Sequence, residues 1–330
     1  MTKKIEKDVQ ELGWDRRNFL KTTVGAIGGL ALAGRAIDGL AAVPYEENPL
    51  VGCIDSHVHS GPDIARRSLN DIELARKAKE AGMRAISLFN HQTMTVDRAY
   101  IARQMVPGIE VFGGVALNYP VGGINPELVS TALKFTGDCM RYVKLPSQSA
   151  AHDFEEKAHL AGKKWDGKGL RIYDSTGKVL PDVIKILKMI AKADIAMLTG
   201  HISPDEDLAV VKAAKAEGVR KMVITHASNA TQNVPLDKMK QMADMGAYIE
   251  HIALTYYQKA RTIEEFVKYI KEVGAERTII SSDLGQGNNP IMTEGLTEFY
   301  LLLIKGGVTK AEMDLMTKKN PARLLGLETF

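Results

Sequence analysis

Cysteine and tryptophan are scarce in this chain of 330 residues, with two of each. Cys53 and Cys139 cannot build a disulfide framework, and a bridge between them would need their Cα atoms within about 7 Å. An excess of either charge is also missing, since 43 Lys+Arg face 40 Asp+Glu for a formal net charge of +3. With only 8 Phe and 10 Tyr besides, there is no electrostatic basis for expecting nucleic-acid binding. Glycine-rich phosphate loops are absent after the first predicted strand, which argues against a nucleotide-binding open sheet. The apolar stretch Thr22 to Gly34 is shorter than the roughly 20 residues that span a bilayer, so no stable membrane span is expected. What remains is the composition of a soluble globular protein, 45% hydrophobic and 25% charged.

The first 42 residues differ from the rest. Lys3, Lys4 and Lys7 precede Asp15-Arg16-Arg17-Asn18-Phe19-Leu20-Lys21, a weakly apolar Gly/Ala run and the small pair Ala41-Ala42. That order reads as a signal peptide. The paired arginines followed by Phe-Leu-Lys resemble the twin-arginine export signal, with Asp15 where Ser or Thr is usual. The resemblance implies recognition by the twin-arginine export machinery, export in the folded state and a periplasmic location. Seven basic and five acidic residues fall in this segment, so the domain expected at 43–330 is close to neutral.

From Val51 onward, short apolar or β-branched runs alternate with Ala/Lys/Glu-rich stretches at βα intervals. Strands are predicted at Val51–Asp55, Ala85–Phe89, Glu110–Val115, Arg141–Leu145, Ile195–Thr199, Met222–Thr225, Ala247–Glu250 and Thr278–Ser282. Helices predicted at Leu69–Gly82, Asp205–Gly218, Leu236–Gly246 and Thr262–Gly274 each end in glycine. Eight such units in about 290 residues predict a single-domain (β/α)8 TIM barrel. A doubly wound open sheet shares the alternation. The long interval between strands 4 and 5 reads as an inserted helix and small hairpin over the barrel mouth, with Arg171 and Tyr173 at its edge.

Six of the eight histidines, His57, His59, His91, His201, His226 and His251, fall in or just after predicted strands, and a barrel brings such positions to its C-terminal mouth. His57 and His59 are two apart on extended chain and point to one side, an arrangement suited to a divalent metal. Lys144 lies in the fourth strand, and Asp283 ends the eighth. Imidazole and carboxylate donors suit Zn²⁺, with Mn²⁺, Fe²⁺ and Ni²⁺ compatible with the same donor types. Asp55 is expected to orient the histidine pair, Asp63 and Gln286 to meet substrate, His251 to pack, and Met239, Met242 and Met245 to fill core. His152 and His159, in the insertion, are expected at a solvated lid.

This ordered set resembles the amidohydrolase superfamily of metal-dependent barrel enzymes. The resemblance rests on Asp55-x-His57-x-His59, on His201 and His226 one unit apart, on Asp283, and on the C-terminal Asn320-Pro321-Ala322-Arg323-Leu324-Leu325-Gly326. It implies that His57, His59 and Asp283 hold one divalent metal, while His201 and His226 hold a second or orient substrate. It further implies a carboxylated Lys144 bridging the two ions. Asp283, His226 and His91 are the expected catalytic groups, and His91 lies outside the common ligand set. The implied reaction is hydrolysis of a C–N, C–O or P–O bond of a small molecule by metal-activated water. Decarboxylation, isomerisation and non-catalytic ligand capture are the competing expectations, and an oligomer is compatible with all of them.

Overall fold

The computed structural model describes residues 48–327. The segment 1–42, read from the sequence as a twin-arginine signal, therefore lies outside the described residues. The strands are β1 Ile54–His59, β2 Ala85–Phe89, β3 Glu110–Ala116, β4 Met140–Lys144, β5 Ala196–Leu198, β6 Met222–Ile224, β7 Tyr248–Ile252 and β8 Thr278–Ser281. They form one parallel sheet in sequence order. The ends meet where Asp283 N–H donates to His57 O (2.7 Å) and His59 N–H to Leu284 O (2.8 Å). The architecture is a (β/α)8 barrel rather than an open sheet.

Around it run α1 Asp71–Glu80, α2 Val96–Met105, α3 Pro126–Ala132, α4 Ala151–Leu160, α5 Pro181–Ala193, α6 Pro204–Ala216, α7 Leu236–Asp244, α8 Ala253–Tyr257, α9 Ile263–Val273, α10 Met292–Lys305, α11 Lys310–Asp314 and α12 Asn320–Leu324. Their starts follow local chemistry. Asn70, Ser203, Thr262 and Thr309 each form a capping box with a glutamate three residues on, satisfying backbone donors that the first helical turn leaves unpaired. The glycines expected to close four of the helices lie just beyond them at positive φ, for example Gly82 at +74° and Gly218 at +82°. The insertion after β4 contributes helix α4, but only a single antiparallel bridge, Tyr173 to Val179, stands where a hairpin was expected. The turn is closed by the Asp174 carboxylate, which accepts from Thr176 and Lys178 N–H and replaces a ladder of strand bonds.

Two apolar layers result. The outer one packs strand residues such as Val58, Ile86, Val143 and Ile280 against helix residues such as Leu74, Ile186, Phe266 and Leu303, with Met239 and Met242 among them. The inner layer fills the barrel. Ile54, Ala85 and Phe112 meet Ala322 and Leu325 at its base, and Phe89, Tyr142, Leu198, Val223 and Ile279 lie in a second inner cluster. Asn320 anchors this C-terminal plug by donating to the carbonyls of Ala275 and Thr278, both at 2.8 Å. The Asn-Pro motif is thus a structural peg.

Strand β1 carries the feature that positions the site. Its register with β2 shifts between Asp55 and Val58, inserting one residue into the alternation. Ile54 therefore faces the lumen below, and both His57 and His59 face it above, while Val58 turns to the outer core. The strand extends to His59, four residues beyond the expected end, because that pairing continues past the bulge.

Close approach of backbone fixes one glycine here. Gly285 has φ of +126°, and a Cβ on it would overlap the His59 carbonyl oxygen. Gly285→Ala is expected to destabilise the protein by about 2 kcal/mol or more, since strained conformation and overlap add. A urea denaturation midpoint checks this, and an unchanged midpoint would contradict it.

Candidate metal centre

Five imidazoles close a circuit around the barrel mouth. Ring centroids are 5.7 Å apart for His57 and His59, 4.9 Å for His59 and His91, 5.9 Å for His91 and His201, 4.7 Å for His201 and His226, and 5.7 Å for His226 and His57. They come from the C-terminal ends of β1, β2, β5 and β6. Phe89 forms the floor under His57 at 4.1 Å and stacks in turn on Tyr142 at 4.1 Å.

Asp283 enters this circuit from β8, with Oδ1 3.0 Å from His59 Nε2 and 3.6 Å from His57 Nε2. His57, His59 and Asp283 each offer one donor atom within 4.8 Å of the others, close enough to share one cation. Lys144 Nζ lies 3.4 Å from His57 Nε2. His226 and Asp283, at the ends of β6 and β8, adopt φ of +35° and +49°. Non-glycine residues held in the left-handed region cost on the order of 1–3 kcal/mol, and such strain concentrates at functional sites.

The outward ring nitrogens show how the imidazoles are oriented. His57 Nδ1 lies 3.2 Å from both Glu250 carboxylate oxygens, and His201 Nδ1 donates to Asp153 Oδ1 at 2.8 Å. A carboxylate at Nδ1 fixes the proton there and leaves a lone pair at Nε2 toward the centre, the form a metal requires. Glu250 also accepts from Ser281 Oγ (2.7 Å) and from His226 N–H (2.9 Å). His226 Nδ1 is buried with no hydrogen-bond partner among the described residues, and in the tautomer that leaves it unprotonated its lone pair is one a cation would satisfy. His59 is different: Arg67 Nη2, itself paired with Asp63, donates to its Nδ1 at 3.2 Å. Its Nε2 proton then goes to Asp283, and ligation through Nε2 requires Arg67 to release Nδ1.

Electrostatics agree with a cation-ready site. Burial alone would raise the Asp283 carboxyl, but His57, His59 and His226 outweigh it and hold it well below the usual carboxylate range. Burial pushes His226 and His91 well below the ordinary imidazole value, and His59 down to about 4. Burial thus favours the neutral form of His59, His91 and His226, the form a ligand must have. Burial likewise lowers the Lys144 amine. Lys144 has no carboxylate at ion-pair distance among the described residues, although a buried lysine needs a partner or loses its charge.

Several expected roles change. Asp55 does not touch the imidazoles. Its carboxylate accepts from Ser282 Oγ and N–H and from His57 N–H, tying β1 to β8. Asp63 is engaged by Arg67, and Gln286 donates to the Asp283 carbonyl at 2.8 Å; both thus brace the mouth. Arg171 stacks over Trp165, 5.4 Å from the ring centroid, away from the circuit. His152 bonds the Thr231 carbonyl at 3.0 Å, closing the insertion onto the β6 loop. Cys53 and Cys139 are free and buried. Glu250 and Asp153 were not singled out from the sequence. Glu250 had a signal, the alternation Tyr248-Ile249-Glu250-His251-Ile252, which puts Glu250 opposite His251.

His251 faces the outer layer, stacked on Tyr269 at 5.6 Å and bonded to Ser228 Oγ at 2.9 Å. Burial lowers it to about 4 from the ordinary 6.5. Between those values the unfolded chain binds more protons than the folded one, so this contribution is complete above pH 6.5 and is lost as pH falls toward 4. Asp55, raised by burial to about 6, acts in the opposite sense, so a variant comparison is needed. His251→Phe should flatten the acid limb of stability by up to about 1.4 kcal/mol per pH unit, measured as urea stability at pH 7, 6 and 5. Parallel wild-type and variant curves would contradict it.

Fold and site together define a (β/α)8 barrel with a histidine- and carboxylate-lined mouth that could hold a metal. Residues 52–250 match a family described as a family of unknown function, DUF6282, and the chain belongs to that family. An amidohydrolase from Pseudomonas aeruginosa is similar over 84% of this chain and 96% of its own, at 12% identity and a TM-score of 0.55. The organophosphorus hydrolase from Deinococcus radiodurans is similar over 84% and 94%, at 14% identity and a TM-score of 0.55. A 2,6-dihydroxybenzoate decarboxylase complexed with 2,6-dihydroxybenzoate is similar over 84% and 100%, at 12% identity and a TM-score of 0.50. No curated protein matches. At these identities the likeness shows the fold.

Proposed function

We propose that the protein is a metal-dependent hydrolase acting on a C–N, C–O or P–O bond of a small molecule. The observation that carries this reading is the grouping of His57, His59 and Asp283 donor atoms within 4.8 Å of one another, beside imidazoles whose Nδ1 atoms, in His57 and His201, are fixed by Glu250 and Asp153. His57, His59 and Asp283 would hold one divalent ion, and His201 and His226 a second ion or the substrate. Zinc is the first choice, because neutral imidazoles and a carboxylate suit it. A cation bound there supplies a water acidified to a pKa of about 7. Asp283, kept ionised by the surrounding imidazoles, takes the proton at its carboxylate and returns it to the leaving group. Lys144, buried beside His57 with no carboxylate at ion-pair distance among the described residues, would react as the neutral amine with CO₂, losing a proton, to give a carbamate that could help hold the cation. His226, held at positive φ between His57 and His201, contacts the reacting group.

The test is a panel of esters, amides, lactones and phosphotriesters with the chelated and the zinc-restored protein in ¹⁸O-labelled water. Metal-dependent turnover with label in the product supports the reading. Metal-dependent turnover without label would favour decarboxylation or isomerisation, which the fold also hosts, and metal binding with no turnover would favour ligand capture. We read residues 1–42 as a twin-arginine signal for the periplasm on the strength of Arg16-Arg17-Asn18-Phe19-Leu20-Lys21. Cell fractionation with Arg16 and Arg17 replaced by lysine tests it, and periplasmic delivery of that variant would contradict it.

A further inference from the structure

His91, like His59, has a hydrogen-bond donor behind Nδ1, but His59 passes its Nε2 proton to Asp283 and is freed for ligation if Arg67 lets go, whereas the donor behind His91 is a buried relay that fixes which nitrogen bears its proton. The chain of contacts starts at Asn118, buried at the end of β3. Its Oδ1 accepts two backbone donors, Ser147 N–H at 2.9 Å and Ser149 N–H at 3.1 Å. Two backbone donors on one side fix the orientation of the amide. Asn118 Nδ2 is therefore the donor, reaching the His91 carbonyl at 3.0 Å and Ser147 Oγ at 2.8 Å.

Ser147 is fully buried. With its oxygen accepting from Asn118, its own proton needs an acceptor, and the remaining partner of Oγ among the described residues is His91 Nδ1 at 2.9 Å. A buried hydroxyl proton left unpaired would cost about 1–3 kcal/mol. His91 Nδ1 is thus an acceptor, and in the neutral imidazole the proton sits on Nε2. His57 and His201 have the opposite arrangement, with carboxylates at Nδ1. His91 Nε2 has no protein partner among the described residues and is not sealed from solvent. The ring lies between His59, on which it stacks with 29° between planes, and His201.

We propose that His91 is not a metal ligand but a fixed N–H donor, held by the Asn118–Ser147 relay, that binds a carboxylate or phosphoryl oxygen of the substrate in the mouth. This rests on the hydrolase reading for the word substrate, but the tautomer itself does not. A neutral imidazole presenting Nε2–H has no lone pair there for a cation, whereas it complements an oxyanion and costs no reorganisation when the anion arrives. The circuit then divides its labour: His57 and His201 present lone pairs, and His91 presents a proton.

The experiment is long-range ¹H–¹⁵N correlation on the full-length, zinc-incubated protein labelled at histidine, with His91 assigned from His91→Gln. An unprotonated Nδ1 and a protonated Nε2 are expected, with the preference lost in Ser147→Ala. Protonated Nδ1 in the wild type would overturn the proposal, as would loss of bound zinc from His91→Ala on the scale seen for His57→Ala. Inorganic phosphate and acetate, titrated separately, should shift the Nε2–H signal, and the stronger response identifies the oxyanion. No response to either at any concentration overturns the anion-binding role. His91→Ala should weaken the responding anion about tenfold, the scale of one charge-assisted hydrogen bond, and His91→Gln, which keeps an N–H near the same place, should recover most of that. A protein that binds no zinc yet shows protonated Nε2 and the anion shift would defeat the metal reading while leaving this one standing.

Discussion

Asp283→Asn is expected to lower turnover by about 10²- to 10⁴-fold, the scale of a lost general acid–base group. The amide has nearly the shape of the carboxylate, and the backbone bond from residue 283 N–H to His57 O is unaffected, so the fold should survive. What disappears is the anion 3.0 Å from His59 Nε2, with its capacity to take a proton and its share in holding a cation. Metal-restored steady-state kinetics, with a thermal melt as control, measure the effect. Activity within tenfold of wild type in a folded variant would remove Asp283 from the reaction.

Glu250→Ala should have the largest effect on stability. Glu250 is fully buried and receives His57 Nδ1, Ser281 Oγ and His226 N–H. Its removal leaves three buried donors without their acceptor, and breaking a buried charged network by deleting one partner costs about 3–5 kcal/mol. Zinc affinity should fall as well, by about 10- to 100-fold, because His57 loses the group that fixes its tautomer. Glu250→Gln separates the effects. One amide oxygen still accepts, so most stability should return, while zinc binding stays weakened. Urea unfolding of the metal-free protein and chelator competition for zinc give the two quantities. A Glu250→Ala variant as stable as wild type would show that the network is not structural.

The barrel was legible because its strands are short apolar or β-branched runs, such as Ala85–Phe89 and Thr278–Ser281, separated by helices with caps and closing glycines. The positions of His57, His59, His91, His201 and His226 at strand ends placed them at the mouth. Other features depend on contacts that no local pattern encodes. The bulge in β1 that turns both His57 and His59 inward arises from pairing with β2. Asp153 reaches His201 from a helix 48 residues earlier in the chain. Asp55, expected beside the histidines because of its spacing, instead faces Ser282, since the bulge carries it to the β8 side. In β7 the more conspicuous residue, His251, faces the outer core, and Glu250, its neighbour of opposite parity, faces the site.

The central claim is that His57, His59 and Asp283, at the mouth of the barrel, hold a divalent metal. Its most direct test is elemental analysis by mass spectrometry of the purified full-length protein after incubation with zinc, beside His57→Ala. One or two tightly held ions per chain, depleted in the variant, is the predicted result. A folded wild-type protein that retains no stoichiometric metal, or a His57→Ala variant that retains as much as wild type, would contradict it.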